Sequence, residues 1–181
     1  MSNDLVQVAK AADFAARRHV AQRRKGESAE PYVNHLTEVA ALLAEATAGG
    51  DPILVMGGLL HDTLEDTDTT YEDLQTAFGE DVAALVAEVT DDKSLPKEER
   101  KRLQIEKTPY KSRRAKLLKI ADKTSNLRAL VDSPPRGWTA ERLRDYVEWA
   151  EAVVRSCRGL NAHLEAEFDA AYRQAKQRFA T

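Results

Sequence analysis

The residues best suited to chemistry lie in "GGLLHDTLEDTDTT", Gly57 to Thr70, where an apolar run passes directly into His61 and four carboxylates, Asp62, Glu65, Asp66 and Asp68. Like charges this close repel, and carboxylates beside a core lose hydration. The arrangement calls for a countercharge. On a helix His61 and Asp62 stand about 100° apart, so both can lean toward one point. An imidazole nitrogen with a carboxylate oxygen suits a divalent first-row metal such as Mn, Fe, Co or Zn, and such a cation supplies the missing positive charge. Glu65, four residues after His61 and three after Asp62, falls on the same side of the helix. The spacing is not the HExxH of zinc proteases.

Two more ligands are proposed from context. His35 sits in "PYVNHLTEVA", early on a helix and between apolar neighbours. Asp122 sits in "KLLKIADKTSNLRAL", where Leu117, Leu118, Ile120 and Leu127 mark a buried helix. A carboxylate there must be paired or coordinated to avoid a cost of several kcal/mol. Spacing alone leaves plainer readings open. His35 could be a satisfied core histidine, Asp122 the buried partner of Arg128 or Lys123, and Asp68 a loop carboxylate.

Helical periodicity dominates the elements that must position these groups. Leu5, Val8, Ala9, Ala12, Ala16 and His19 predict one face of a first helix. After the basic connection "QRRKGESAE", Pro31 is placed to open a second helix carrying Leu36, Val39, Ala40 and Leu43, which ends near Gly49-Gly50. "DPILVMGGLLHDTLED" starts with an Asp-Pro signal and is apolar nearly all round, as a central helix would be. Gly57 and Gly58 within it predict close approach of another backbone. Thr69 with Glu72 reads as a capping box for a short helix ending at Phe78-Gly79. Further helices are predicted at 81–90, 96–107, 112–130, 140–156 and 160–179, with no strands. The reading is one all-α domain spanning 1–181.

Composition narrows the function classes. The 181 residues are 43% apolar and 31% charged with a net charge of -3, which gives no global field for nucleic acid or an anionic membrane. The single cysteine, Cys157, excludes an internal disulfide framework and a multi-cysteine zinc site, and reads as core packing. No signal-peptide h-region and no run of roughly 20 apolar residues is present, so a cytoplasmic location is expected.

Taken in order, His35, His61-Asp62 and Asp122 resemble the metal-binding signature of the HD-domain phosphohydrolases. "RRKGESAEPYVNHLTEVA", "LLHDTLEDTDTTYEDLQTAFGEDVAALVAEVTDD", "KIADKTSNLRAL" and "DYVEWA" narrow the likeness to the hydrolase domain of RelA/SpoT-type enzymes. Among these the chain is most similar to the free-standing small alarmone hydrolases of the metazoan SpoT homologue type. The resemblance implies packed helices around one divalent metal, usually Mn2+. It also implies removal of the 3′-diphosphate of guanosine tetra- or pentaphosphate, releasing pyrophosphate and GDP or GTP. By the motif match His35, His61, Asp62 and Asp122 are the metal ligands, and Glu65 and Asp66 the catalytic acidic pair. Glu65 is assigned to water orientation and proton transfer, Asp66 to passing the proton toward the leaving pyrophosphate. Arg24, Lys25, Lys97, Asn126, Arg142 and Tyr146 match nucleotide and phosphate contacts.

Some positions depart from the family pattern. Gly26 stands where serine is frequent, Thr124-Ser125 where Leu-Tyr is frequent, and Ala129 where the long enzymes have threonine. These changes are expected to touch the nucleotide pocket rather than the metal site. They keep open a second reading, a phosphatase acting on another nucleotide such as NADPH through its 2′-phosphate. A third reading, a binding module without catalysis, has little support because neither a ligand nor the Glu65-Asp66 pair is lost. The chain ends before a synthetase could follow, so hydrolysis alone is expected. A small-molecule nucleotide is the expected partner, with no nucleic acid and no membrane. The sequence leaves the oligomeric state open, a monomer included.

Overall fold

The structure, a computed structural model, describes residues 2–180. Ten α-helices account for most of them: α1 Ser2–Arg18, α2 Val33–Ala46, α3 Pro52–Leu60, α4 Thr63–Asp66, α5 Tyr71–Phe78, α6 Glu80–Val89, α7 Lys97–Lys107, α8 Arg113–Asp132, α9 Ala140–Arg155 and α10 Ala162–Arg178. A 3-10 turn, Thr108–Tyr110, joins α7 to the segment before α8. Among the described residues the only β-pairing is two isolated bridges, Arg23 to Pro31 and Gly26 to Pro135. The all-α expectation holds.

Local chemistry accounts for the helix starts. Asp51 accepts from the Leu54 amide and Pro52 takes the first helical position of α3. Ser112, Thr139 and Asn161 cap α8, α9 and α10 in the same way. The capping box of α5 is Thr70 with Asp73, one residue beyond the predicted Thr69 and Glu72, because the Thr69 amide and hydroxyl are both engaged with Thr67. Helix α2 starts two residues after Pro31, which is instead bridged to Arg23.

Two apolar clusters share α2 and α3. Helix α2 gives Val39, Leu42 and Leu43 to a cluster formed with α8, α9 and α10, and Leu36 and Ala40 to another formed with α1, α5 and α6. Helix α3 likewise divides Leu54 from Met56, Leu59 and Leu60. Gly58 permits this contact: a Cβ there would meet the Ala40 Cα at 3.2 Å and Leu43 Cδ1 at 2.9 Å. On α1 the predicted Val8, Ala12 and His19 pack inward, but the face is centred on Ala11 and Ala15, which are fully buried, and the predicted Leu5 and Ala9 are exposed. Small residues at both 11–12 and 15–16 made the two faces hard to distinguish by hydropathy. Cys157 is fully buried, as predicted, and among the described residues no helix is long and apolar enough to cross a membrane.

Candidate metal centre and its cavity

The seam between the two clusters is where the chemistry converges. Helix α2 carries His35 at its first turn, α3 ends just before His61, and α8 carries Asp122 at its middle. The predicted continuous helix through His61-Asp62 is interrupted: α3 stops at Leu60 and α4 restarts at Thr63. The break still aims both side chains inward, with His61 Nε2 3.1 Å from Asp62 Oδ2. Ligand atoms of His35, His61 and Asp62 all lie within 4.8 Å of one another. Asp122 Oδ1 approaches the same two ring nitrogens, at 3.4 Å from His35 Nε2 and 3.8 Å from His61 Nε2.

The outer edges of the rings are fixed. His61 Nδ1 lies 2.8 Å from the Gly58 carbonyl, and His35 Nδ1 lies 2.8 Å from Ser125 Oγ. The buried His61 Nε2 makes no directed hydrogen bond in spite of its nearness to Asp62. A buried polar atom left this way points to a missing partner. With two imidazole nitrogens and carboxylate oxygens around it, that partner fits a divalent first-row cation.

Electrostatics agree. Burial works against every charge here, and neighbours decide the outcome. It pulls His61 down, but Asp62 and Asp122 outweigh it and raise the imidazole to about 9. Burial likewise disfavours the Asp122 carboxylate, yet Lys123 and the two histidines hold it well below the usual range. The Lys123 ammonium donates to Asp122 Oδ2 at 2.9 Å and the Asn126 amide to Oδ1 at 2.6 Å. Of the two cations considered for Asp122, Lys123 is its partner, while Arg128 binds Glu38 and Glu167. Asp62 accepts from the Tyr32 hydroxyl at 2.6 Å.

Glu65 and Asp66 stand beside this cluster with different surroundings. Glu65 accepts from Arg100 at 3.2 Å and from the Asp91 amide at 3.4 Å. Partial burial, with Asp62 and Asp91 nearby, raises it above the ordinary glutamate range. Asp66 is held between Gln22 at 2.8 Å and Lys93 at 2.5 Å. Asp68 is an exposed loop carboxylate paired with Arg18. His19 is buried against Gln22 and stacked on Tyr32, and His163 is exposed.

A cavity of about 560 Å³ opens next to the cluster. Arg24, Lys25, Lys97, Asn126 and Tyr146 line it together with Asp66 and Trp138. The Arg24 guanidinium lies 5.9 Å from the Tyr32 ring centre. Lys97 lies 5.8 Å and Arg142, on α9, 4.3 Å from the Trp138 ring centre; of the predicted nucleotide contacts, Arg142 stands behind this wall and is not among the residues that line the cavity. Partial burial and then the Arg142 and Lys101 charges pull Lys97 below the usual lysine value. Arg24, Lys25 and Lys97 make no ion pair among the described residues, which suits the site to a polyanion.

The departures from the family pattern fall differently from expectation. Gly26 packs on the 133–135 segment, where a Cβ would sit 2.3 Å from the Ser133 carbonyl oxygen; the turn itself requires glycine. Thr124 is fully buried and bonded back to the Ile120 carbonyl. Ser125 touches His35, so this change belongs to the metal cluster and not to the nucleotide pocket. Of the four positions, Gly26 and Ala129 line the cavity.

Comparison with known proteins fits this geometry. The HD domain family profile matches residues 11–147. The chain belongs to the HD-domain family. Within it, this HD domain is 48% identical over 169 residues to guanosine-3′,5′-bis(diphosphate) 3′-pyrophosphohydrolase MESH1 of Xenopus tropicalis, covering 93% of this chain and 94% of that one. It is 51% identical over 161 residues to the Drosophila melanogaster protein of the same name, covering 89% and 90%. A solved structure described as a metazoan ortholog of SpoT that hydrolyses ppGpp superposes with a TM-score of 0.88 at 49% identity, over 93% of this chain and 94% of that one. These likenesses place it among the free-standing SpoT/MESH1-type members.

Sequence reasoning missed Tyr32, Gln22, Lys93 and Arg100, the groups that hold Asp62, Asp66 and Glu65. Tyr32 and Gln22 lie within the quoted motifs or next to them, but neither residue type announces a role without its partner.

Proposed function

We propose that this chain hydrolyses the 3′-diphosphate of guanosine tetra- and pentaphosphate to pyrophosphate and GDP or GTP, using one Mn2+ held by His35, His61, Asp62 and Asp122. The observation that carries the reading is the junction of a buried His/His/Asp cluster with a cation-walled cavity, in a chain 48–51% identical to MESH1 hydrolases along most of their length. When bound, the divalent cation polarises a phosphoryl oxygen and makes water more acidic.

The chain's own residues do the rest. Arg24 stacks on the guanine as planar guanidinium groups do on aromatic faces. Lys25, Lys97 and Arg142 hold phosphate oxygens, and Asn126 and Tyr146 border the ribose. Glu65 takes the proton from the attacking water; its raised pKa makes it a better base than an ordinary glutamate. The bond that forms joins the water oxygen to the 3′-phosphorus, and the bond that breaks joins that phosphorus to the ribose 3′-oxygen. The proton therefore ends on the 3′-oxygen, and Asp66, which borders both cluster and cavity, is the group that hands it on. This refines the sequence expectation, because pyrophosphate is the transferred group and the ribose oxygen is the one that leaves.

The cations gather in one concave site, so the partner is a small nucleotide rather than a nucleic acid. We read 1–181 as one domain because the two apolar clusters share α2 and α3. The test is turnover of guanosine tetraphosphate against NADPH at equal concentration. Faster release of pyrophosphate and GDP supports the reading, and faster release of phosphate from NADPH overturns the substrate assignment.

A further inference from the structure

We propose that Ser125 and Glu38 are positioning residues that fix His35 in the tautomer able to bind the metal. The proposal rests on the metal assignment above. Ser125 is 1% exposed and lies at the centre of α8, facing α2. Its hydroxyl is 2.8 Å from His35 Nδ1 and donates to Glu38 Oε2 at 2.6 Å. Glu38 Oε1 accepts from Arg128 at 3.1 Å, and Arg128 also binds Glu167 on α10. A continuous relay therefore runs from His35 through α8 and α2 to the last helix.

The donor directions follow from the groups present. A carboxylate beside a guanidinium only accepts, and a serine hydroxyl has a single proton. That proton goes to Glu38, so Ser125 Oγ must accept from His35, whose Nδ1 carries the ring hydrogen. An imidazole that binds a metal is neutral and has no second N–H. The Nε2 lone pair is then turned toward Asp122 Oδ1 and Asp62 Oδ2, at 3.4 and 3.7 Å. Three electron-rich atoms in such proximity need a cation among them. The His61 ring is oriented by a different route, with Nδ1 2.8 Å from the Gly58 backbone carbonyl. One ligand is thus oriented by backbone and the other by replaceable side chains.

Arg128 lines the cavity, yet both its carboxylate partners are already in place, so it anchors the relay and leaves phosphate to Arg24, Lys25 and Lys97.

The test uses the full chain with Ser125→Ala, Glu38→Ala, their combination, and Glu38→Gln, which keeps an acceptor for the serine. Mn2+ affinity is measured by calorimetry. Imidazole tautomers are read from nitrogen-15 shifts of metal-stripped protein at mildly alkaline pH, and thermal melts check folding. Loss of a histidine-orienting partner costs roughly 10- to 100-fold in metal affinity. Ser125→Ala is expected to weaken Mn2+ by that factor and to shift His35 toward the Nε2–H form, with His61 unchanged. Glu38→Ala is expected to add nothing on top of Ser125→Ala, as for two members of one relay, and Glu38→Gln is expected to retain most affinity. An unchanged His35 tautomer in Ser125→Ala, or additive losses in the double variant, overturns the proposal. A wild-type protein that binds no divalent metal overturns the metal reading itself, and the tautomer readout separates that outcome from failure of the relay.

Discussion

The metal cluster and the cavity wall beside it are built on opposite terms. In the cluster both rings and Asp122 are buried and Asp62 is half-buried, and each is held by a second group: His35 by Ser125, His61 by a backbone carbonyl, Asp122 by Lys123 and Asn126, Asp62 by Tyr32. On the wall, Arg24 and Lys25 come from the connection between α1 and α2, and their charges have no carboxylate partner. Buried charges must be compensated within the fold, so they are fixed before anything binds. Solvated cations carry no such demand and are left for an anionic ligand. Changes in the cluster should therefore affect folding, metal and rate together, and changes on the wall should affect affinity alone.

The largest effect is expected from Asp122→Asn. It removes one proposed ligand and leaves the Lys123 ammonium, 4% exposed, without its carboxylate. Breaking a buried pair costs about 3–5 kcal/mol, although the Trp149 ring, 4.4 Å from that ammonium, offsets part of it. Melting curves should show a large destabilisation, with Mn2+ binding and turnover lost. A stable, fully active variant would remove Asp122 from the site.

Glu65→Gln separates rate from metal. Metal binding should persist while turnover drops roughly 10²- to 10⁴-fold, the usual worth of a general base. Stability should move the other way. Because the folded chain raises the Glu65 pKa, it holds that proton more tightly than the unfolded chain does, and the ionised carboxylate costs stability above the raised value. Metal-stripped Glu65→Gln is therefore expected to melt higher than wild type at neutral pH, with the difference vanishing below the ordinary glutamate range. In the wild type the acid limb of the rate profile should lie above that range. A profile flat into acid would exclude Glu65 as the base.

On the wall, Lys97→Ala or Arg24→Ala should raise KM by about tenfold, corresponding to about 1.4 kcal/mol, with melting temperature and Mn2+ affinity unchanged. The Lys97 effect should shrink at high salt. A fall in kcat with KM unchanged would blur the division between the two regions. The smallest effect concerns Cys157, where burial raises the thiol to about 11. Its thiolate forms only in strongly alkaline solution, so thiol reagents should label the native protein slowly near neutrality and the denatured protein at once. Fast native labelling would contradict the packing of α9 and α10.

The two regions also differ in how far the sequence reveals them. His35, His61, Asp62 and Asp122 stand out in the sequence as polar groups beside apolar runs, only the family resemblance singles them out together as ligands, and the structure brings them together. The helices are legible from their period, with the α5 cap displaced by one residue and the centre of the α1 face shifted to Ala11 and Ala15, where threonines or alanines repeat. What could not be read was pairing across the chain. Lys93 with Asp66, Arg100 with Glu65 and Ser125 with His35 join residues far apart in order, and an exposed-looking lysine or a helical serine carries no sign of its partner. For that reason Ser125 reads from the sequence as a pocket residue, while the structure puts it against His35.

The most direct measurement of the central claim is incubation of metal-stripped protein with guanosine tetraphosphate, with and without Mn2+, and separation of the products by anion exchange. Pyrophosphate and GDP appearing only with Mn2+ is the predicted result. The same products at the same rate without any divalent metal, or none in its presence, would contradict it.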